Sequence, residues 1–261
     1  MSTTRNLRYY DMHGELNHGF LHPGGRHATE KLLSLLPRLR EKSIILEIGC
    51  GTGETARLII ERFPYSYIGI DASPSMLSKA KSTLGRYNER VSFIECDLQV
   101  DLLPILTESI DVIIAESVIA ILSPQKIFQE CHCVLKRGGI LAWNDRLWGN
   151  AVSAEECLKV NQVCKKHFGF PAAPEDLPTA ADWIKLVEGV GYKVVKSERL
   201  TRIGHTDLEG RKAEVSKFLK LRKLIAHPQF FRSWYYDRAV QHKYMHLWGK
   251  MESWIFVAQK G

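Results

Sequence analysis

The sequence of 261 residues has no long hydrophobic run: no uncharged apolar stretch approaches the roughly 18 residues that a membrane-spanning helix needs. It has no internal repeat and no low-complexity tract, which excludes repeat arrays and collagen-like chains. Its six cysteines lie mostly in apolar segments, unlike the dense framework of a small secreted domain. No apolar stretch follows the polar residues 1–10, so we predict no signal peptide. These absences together predict a cytoplasmic protein without a membrane segment.

Positive charge is in modest excess and is unevenly spread along the chain. Lys and Arg number 36 against 29 Asp and Glu, a formal net charge of +7. Residues 196–250 hold 13 Lys or Arg and 5 Asp or Glu, so the rest of the chain is close to neutral. No dense basic tail or appended RNA-binding module accompanies this segment. We therefore predict no nucleic-acid partner, and the charge either bears on substrate choice or forms a solvated surface.

Short apolar runs alternate with helical patterns along the chain. Five runs rich in β-branched residues predict strands, over Ile44–Gly49, Tyr67–Ile70, Val91–Ile94, Ile110–Ala115 and Ile140–Trp143. Helical periodicity lies before and between them, over His27–Leu36, Glu54–Phe63, Ser75–Leu84 and Ser123–Lys136. This alternation predicts βαβ units and an α/β fold with a parallel sheet covered on both faces. Later patterns predict helices over 153–167 and 179–190, two helices broken at Pro228, and strands over Tyr192–Leu200 and Ser253–Gln259.

A glycine-rich loop stands where the first strand ends and the next helix begins. Residues 46–55 read LEIGCGTGET, with glycines at 49, 51 and 53. Glycine permits a tight turn and lets a ligand lie against backbone N–H groups near a helix N-terminus. The dinucleotide spacing G-x-G-x-x-G would place its third glycine on Glu54, whose carboxylate would face a pyrophosphate. No Gly-Lys-Ser/Thr follows, so the loop is not a phosphate-binding P-loop either.

The loop and three later motifs resemble those of a known family. Glu47–Gly53 has the pattern E/D-x-G-x-G-x-G, and Asp71 follows 18 residues beyond Gly53 in the sequence GIDAS. Cys96-Asp97-Leu98 comes after the third strand, and Lys136–Gly139 leads into the fifth. In this order the motifs are similar to those of class I S-adenosylmethionine-dependent methyltransferases of the small-molecule branch. The resemblance extends over Ile44–Asp145 and, more loosely, to the final strand.

The resemblance implies a fold, a cofactor and a set of cofactor-binding residues. The implied fold is a Rossmann-like doubly wound α/β sheet of about seven strands, mostly parallel with the last strand antiparallel, plus helical cap insertions. It implies one domain over 1–261, with the core at about 40–145, 179–200 and 253–261 and cap segments at about 1–30, 146–178 and 201–252. The cofactor would be S-adenosylmethionine, with S-adenosylhomocysteine as product, and Asp71 would hold the ribose and Asp97 the adenine. The implied cofactor-binding residues are Glu47, Gly49, Cys50, Gly51, Gly53, Asp71, Ala72, Met76, Cys96, Asp97, Leu98 and Glu116.

The chemistry of that cofactor predicts methyl transfer to a small-molecule acceptor by in-line displacement, in which the protein chiefly positions the acceptor and excludes water. A base is needed only if the acceptor must first lose a proton. Three other functions stay open: an RNA or protein methyltransferase that uses the basic segment, a non-catalytic S-adenosylmethionine-binding subunit, and a nicotinamide-dependent oxidoreductase.

Three residues are candidate catalytic groups. His18 and His22 lie in the segment Asn17–His27, which would fold over the methionine end of the cofactor or form a surface turn with solvated histidines. Glu116 follows the fourth strand at the sheet edge where ligands bind in open α/β folds, although a helix-cap or ion-pair role is equally open.

The cap segments contain the candidate acceptor-binding residues. An anionic acceptor is indicated if basic cap residues point inward, among them Arg199, Arg202, Arg211, Arg232, Arg238 and His205. Aromatic residues there would form a wall around the acceptor or simply pack the cap. The predicted substrate-binding residues are Tyr10, Asp145, Trp148, His205, Trp234 and Tyr235.

No metal site is predicted. Trp143-Asn144-Asp145 is similar to the Asp-Asn pair of metal-dependent methyltransferases, but Glu116-Ser117-Val118 lacks the second Asp that the site needs. Cys131-His132-Cys133 lies within a predicted helix, where residues two apart point in different directions. We expect a small molecule to be the partner and the protein to be a monomer or a homodimer.

Overall fold

The computed structural model describes residues 8–200 and 225–261 of the chain. Its strands are β1 (Ile44–Ile48), β2 (Ser66–Asp71), β3 (Val91–Glu95), β4 (Ile110–Glu116), β5 (Leu135–Leu147), β6 (Tyr192–Arg199) and β7 (Glu252–Lys260). Its α-helices are α1 (Arg8–Glu15), α2 (Gly25–Leu35), α3 (Glu54–Ile60), α4 (Pro74–Leu84), α5 (Pro124–Val134), α6 (Ala154–Phe168), α7 (Ala180–Val190), α8 (Pro228–Lys243) and α9 (Met245–Trp248).

The strands form one sheet in the order β3-β2-β1-β4-β5-β7-β6. Strands β1 to β5 pair in parallel, and β7 runs antiparallel between β5 and β6. The chain moves outward from β1 in one direction through β2 and β3 and in the other from β4 onward. The carboxyl ends of β1 and β4 therefore border the crevice in which open α/β sheets bind ligands. The predicted Rossmann-like sheet with an antiparallel last strand is confirmed.

Helices cover both faces of the sheet. Buried residues of α2 and α3, such as Leu32 and Ile59, pack on one face, and those of α5 and α7, such as Phe128 and Trp183, pack on the other. A separate cluster joins α6, α8 and α9 around the fully buried Trp148. We call these three helices the cap. Helix α1 packs against both α4 and α8, so it connects the cap to the sheet region.

The structure differs from the sequence-based elements in two places. Strand β5 begins at Leu135 rather than at Ile140, because Leu135 pairs with Ile110 across an irregularity in the β4–β5 register. Helix α1 was not predicted, since its eight residues contain few apolar side chains; Met12 is nevertheless buried. Thr179 caps α7 with a capping box, and α8 begins at Pro228. Among the described residues no helix is long and apolar enough to cross a membrane.

Candidate active site

The glycine-rich loop leaves β1 at the carboxyl edge of the sheet. The N–H groups of Gly49 and Cys50 both donate to the carbonyl of Ile70, at 2.7 and 3.0 Å, which ties the loop to β2. Gly49, Gly51 and Gly53 all have positive φ, so the loop needs glycine for its conformation.

Asp71 ends β2 beside this loop and orients it. One carboxylate oxygen accepts the N–H of Gly51 at 2.8 Å, and the other accepts the N–H of Ser73 at 2.9 Å. Each oxygen of a carboxylate can accept more than one hydrogen bond. The Asp71 carboxylate is thus held in place with acceptor capacity left for hydroxyl groups of a ligand.

A cavity of about 1120 Å³ extends from the loop to the cap. Its volume exceeds the roughly 300–1000 Å³ of an ordinary ligand pocket. Predicted site residues among those that line it are His18, His22, Glu47, Gly49, Cys50, Gly51, Asp71, Ala72, Met76, Cys96, Leu98, Glu116, Tyr10 and Asp145. The fold therefore brings most of the predicted cofactor residues and both histidines together.

Five predicted site residues do not line the cavity. A Cβ at Gly53 would lie 3.1 Å from side-chain atoms of α4, so this glycine lets α3 pack closely on α4. Asp97 accepts the N–H of Gln99. Trp148 is fully buried and donates its indole N–H to the carbonyl of Ala173, so it packs the cap instead of facing a ligand.

The other two, Trp234 and Tyr235, lie on α8. Arg238 stacks over the Trp234 ring at 5.0 Å, and Tyr235 is more than half exposed. Neither of these aromatic residues is among those that line the cavity. His205 lies outside the described residues.

A buried polar network surrounds Glu116 at the end of β4. Its carboxylate accepts hydrogen bonds from the hydroxyls of Thr29 and Thr55 at 2.9 Å, and from the Asn144 amide at 2.6 Å. His22 Nε2 lies 3.3 Å from Glu116 Oε2 and 3.1 Å from Thr29 Oγ1. The network therefore joins the segment before α2 to the helices and strands that border the crevice.

A second buried acid, Glu47, lies beside this network. Burial raises the pKa of Glu47 well above its usual range, and the negative charge of Glu116 raises it further, while hydrogen bonds from Tyr67 and Thr55 oppose the shift. Two carboxylates this close in a buried site disfavour double ionisation. Glu47 therefore favours the protonated form under the loop.

Two histidines that line the cavity form a pair. His13 Nδ1 and His18 Nδ1 are 2.7 Å apart, so one of them donates a proton to the other. The Tyr9 ring packs on His13 with its centroid 4.6 Å away, and both histidines line the cavity. Neutral imidazoles paired in this way leave one of the two Nε2 atoms as a proton acceptor.

The chain aligns with curated bacterial proteins over about three quarters of its length. It is 26% identical over 193 residues to the uncharacterized methyltransferase YodH of Bacillus subtilis (strain 168), covering 74% of this chain and 78% of that protein. It is 25% identical over 222 residues to malonyl-(acyl-carrier protein) O-methyltransferase 1 of Ilyobacter polytropus, covering 75% and 78%. Residues 45–139 match the family model described as a methyltransferase domain. The methyltransferase domain and the methyltransferase relatives identify the chain as an S-adenosylmethionine-dependent methyltransferase.

A solved structure has the same fold along nearly the whole methyltransferase chain. It is the crystal structure of the 4+2 cyclase SpnF, with a TM-score of 0.72, 19% identity, and coverage of 96% of this chain and 94% of that one. At this identity the likeness shows the fold alone. The site, not the fold, must therefore carry conclusions about the acceptor.

The loop of this methyltransferase fits its cofactor, S-adenosylmethionine. A Cβ built on Gly51 would meet no atom within 4 Å, so the backbone there borders open space. The oriented Asp71 carboxylate, beside that space, has acceptor capacity for two ribose hydroxyls. Among the described residues no cluster of three or more His, Cys, Asp or Glu could hold a metal ion.

Two glycine substitutions in the loop should have different effects. We expect Gly51→Ala to weaken S-adenosylhomocysteine binding about tenfold, because the added methyl group enters the cofactor cavity. The positive φ at this position should also lower the stability by about 1 kcal/mol. Gly53→Ala should cost about 2–3 kcal/mol, since it adds a clash with α4 to the same strain. Thermal melting and calorimetric titration of both variants measure this. Equal losses of affinity would contradict the assignment.

Asp145 should make the stability of the methyltransferase depend on pH. Burial raises its pKa well above the usual 3.8, although backbone N–H groups of Ala120 and Ile119 oppose this. The folded state thus binds the proton more tightly, and the associated stability is lost as the pH rises through the raised pKa. The stability of Asp145→Asn relative to wild type should therefore increase as the pH rises from 5 to 8. Denaturant unfolding of both proteins at pH 5 and pH 8 measures the free energy of unfolding, and Asp176→Asn, at an exposed aspartate, is the control. A stability difference between Asp145→Asn and wild type that does not change with pH would refute the prediction.

Several cavity residues were missed by sequence reasoning. His13 lies on the unpredicted α1, and Phe170 lies in the Pro-rich turn. Arg146 directly follows Asp145 at the end of β5, so its position at the sheet edge was a usable signal. The others come together only through tertiary contacts.

Proposed function

We propose that this methyltransferase transfers the methyl group of S-adenosylmethionine to a small-molecule acceptor held under the cap. The observation that carries the proposal is the single cavity of about 1120 Å³ that joins the glycine loop to the cap. It has room for a second ligand beside the cofactor. Side chains of α1, α6, α8 and α9 line the second part, which supports a small acceptor over a folded RNA or protein. By its name, one relative acts on malonyl-(acyl-carrier protein), which is a small acyl group carried on a protein.

The cofactor would be held by the loop and the next two strand ends. Asp71 would accept the ribose hydroxyls, with Gly49, Cys50, Gly51 and Ala72 as its backbone surroundings. Met76, Cys96 and Leu98 border the cavity beyond Asp71 and would contact the adenine. When bound, S-adenosylmethionine supplies an electrophilic methyl group on sulfur. The chain's own contribution is to orient the acceptor and exclude water.

His18, supported by His13, is the proposed base for an acceptor that must lose a proton. A proton accepted at Nε2 of His18 is stabilised because the hydrogen bond between the Nδ1 atoms of His18 and His13 then becomes charge-assisted. His22 and Glu116 are proposed as positioning residues instead, since His22 Nε2 faces Glu116 and Thr29. Their network would hold the segment before α2 against the loop.

Label transfer tests the proposed function. The purified protein is incubated with methyl-labelled S-adenosylmethionine and a cell extract, and the products are passed through a membrane that retains protein and RNA. We expect protein-dependent label in the filtrate. Label retained with RNA or protein would favour an RNA or protein methyltransferase. Binding of S-adenosylhomocysteine without any methyl transfer would favour a non-catalytic subunit. The monomeric or homodimeric state, the cytoplasmic location and the absence of a nucleic-acid partner stay predictions.

Replacing His18 tests the base. With the labelled acceptor as substrate, we expect His18→Phe to lower kcat about 10- to 100-fold, at the lower end of general-base effects. The S-adenosylhomocysteine Kd should stay within about twofold because the cofactor contacts lie elsewhere. His27→Phe, at an exposed histidine of α2, is the matched control. Wild-type turnover in His18→Phe would overturn the assignment.

A further inference from the structure

The end of β5 brings Arg146 into the cavity without a counter-ion from the described part of the chain. Arg146 lines the cavity, and within residues 8–200 and 225–261 it has neither an ion pair nor a hydrogen bond. Its interaction in the structure is with the Trp248 ring, 5.6 Å from the guanidinium carbon. The preceding Asp145 cannot neutralise it, because successive residues of a strand point to opposite faces. Asp145 instead accepts the N–H of Ala120.

Two buried donors meet at this position. The Nε atom of Arg146 and the indole nitrogen of Trp248 are both shielded from solvent and have no acceptor in the described part of the chain. Burial lowers the pKa of Arg146 to about 10, which reflects the loss of hydration by the charged group. Buried donors and charges without partners are costly and therefore rare in folded proteins. Both residues also line the cavity, so a ligand bound there is placed to supply an acceptor to this pair of side chains.

The acids that line the cavity are engaged elsewhere. Glu116 accepts hydrogen bonds from the hydroxyls of Thr29 and Thr55 and from Asn144, and Asp71 accepts N–H groups of the glycine-rich loop. Glu54 forms an ion pair with Arg57, and Asp237 accepts the hydroxyl of Tyr9. Two other arginines line the cavity but differ from Arg146. Arg199 pairs with Glu252 at 3.2 Å, and the exposed Arg238 lies over Trp234. A partly buried charge without a counter-ion is thus specific to Arg146 among the described lining residues.

We propose that Arg146 and Trp248 form an anion subsite that binds a carboxylate or phosphate group of the methyl acceptor. The inference rests on the proposed function for the identity of the ligand. A guanidinium group and an indole N–H both donate, and oxygen anions accept several such bonds at once. The oxygen that Arg146 binds is not the atom that is methylated, because a hydrogen bond from a guanidinium makes an oxygen a weaker nucleophile. Arg146 thereby sets which acceptors are used.

Thermal melting tests the subsite without turnover. Inorganic phosphate, acetate and the neutral isostere acetamide are titrated at constant ionic strength into protein saturated with S-adenosylhomocysteine. We expect phosphate or acetate, but not acetamide, to raise the Tm of wild type saturably. The effect should be lost in Arg146→Met and kept in Arg137→Met, which removes an exposed arginine of the same strand. Without anions Arg146→Met should be at least as stable as wild type, since it removes an uncompensated charge.

Equal stabilisation of Arg146→Met and wild type by the anions, or no stabilisation of wild type by either anion, would overturn the subsite. The labelled acceptor provides a second readout. It should be retained by an anion exchanger at pH 8, and its KM should rise about tenfold or more in Arg146→Met. A neutral acceptor, or an unchanged KM, would overturn the inference while leaving the proposed function intact. Arg146-dependent anion binding without any methyl transfer would instead refute the proposed function and keep the subsite.

Discussion

Asp71→Ala should weaken S-adenosylhomocysteine binding by about 100-fold or more. Charge-assisted hydrogen bonds contribute about 1.5–3 kcal/mol each, and 100-fold corresponds to about 2.7 kcal/mol. The substitution removes the acceptor for the ribose hydroxyls. It also releases the N–H groups of Gly51 and Ser73, which the carboxylate holds at 2.8 and 2.9 Å. Calorimetric titration of the purified variant measures the change.

Two further variants distinguish loss of the ribose contact from a nonspecific effect of substitution on the folded protein. Asp71→Asn keeps the shape but loses the charge, so we expect a smaller loss of about tenfold. Asp176→Ala removes an exposed acid and should bind like wild type. An unchanged Kd in Asp71→Ala would remove Asp71 from the cofactor site.

Glu116→Ala should destabilise the protein by about 3–5 kcal/mol, the usual cost of removing one partner from a buried charged network. The hydroxyls of Thr29 and Thr55 and the amide of Asn144 would lose their shared acceptor. For a chain of this length the Tm should fall by roughly 10 °C or more. S-adenosylhomocysteine binding should also weaken, because the network borders the glycine loop.

Two controls accompany Glu116→Ala in thermal melting. Glu188→Ala removes an exposed acid of α7 and should change stability by less than about 0.5 kcal/mol. Glu116→Gln keeps one acceptor oxygen and should fall between Ala and wild type. If Glu116→Ala melts at the wild-type temperature, the network does not join the N-terminal segment to the sheet.

The cofactor region was predictable because its signals are local. The turn after β1 needs glycines at fixed positions, and an acid that follows β2 lies beside that turn in any sheet of this order. The Asp71 carboxylate accepts the N–H of Gly51, so it lies beside this turn. The glycine pattern alone does not distinguish the roles of its members. It predicted Gly53 as a cofactor-binding residue, whereas in the structure Gly53 lets α3 pack closely on α4.

The acceptor side depends on contacts between distant segments, which no local pattern reveals. The sequence does not distinguish Trp148 and Trp234 from Trp248 as candidate acceptor-binding residues, but of these three only Trp248 lines the cavity. Thr29 and Thr55 read as ordinary helix residues until the fold brings both to Glu116. The pairing of His13 with His18 likewise requires the turn after α1.

Calorimetric titration of the wild-type protein with S-adenosylhomocysteine and, separately, with NAD tests the central claim most directly. We predict one saturable site per chain for S-adenosylhomocysteine, no saturable binding of NAD, and a Tm that rises with S-adenosylhomocysteine concentration. Binding and stabilisation by NAD but not by S-adenosylhomocysteine would contradict the account.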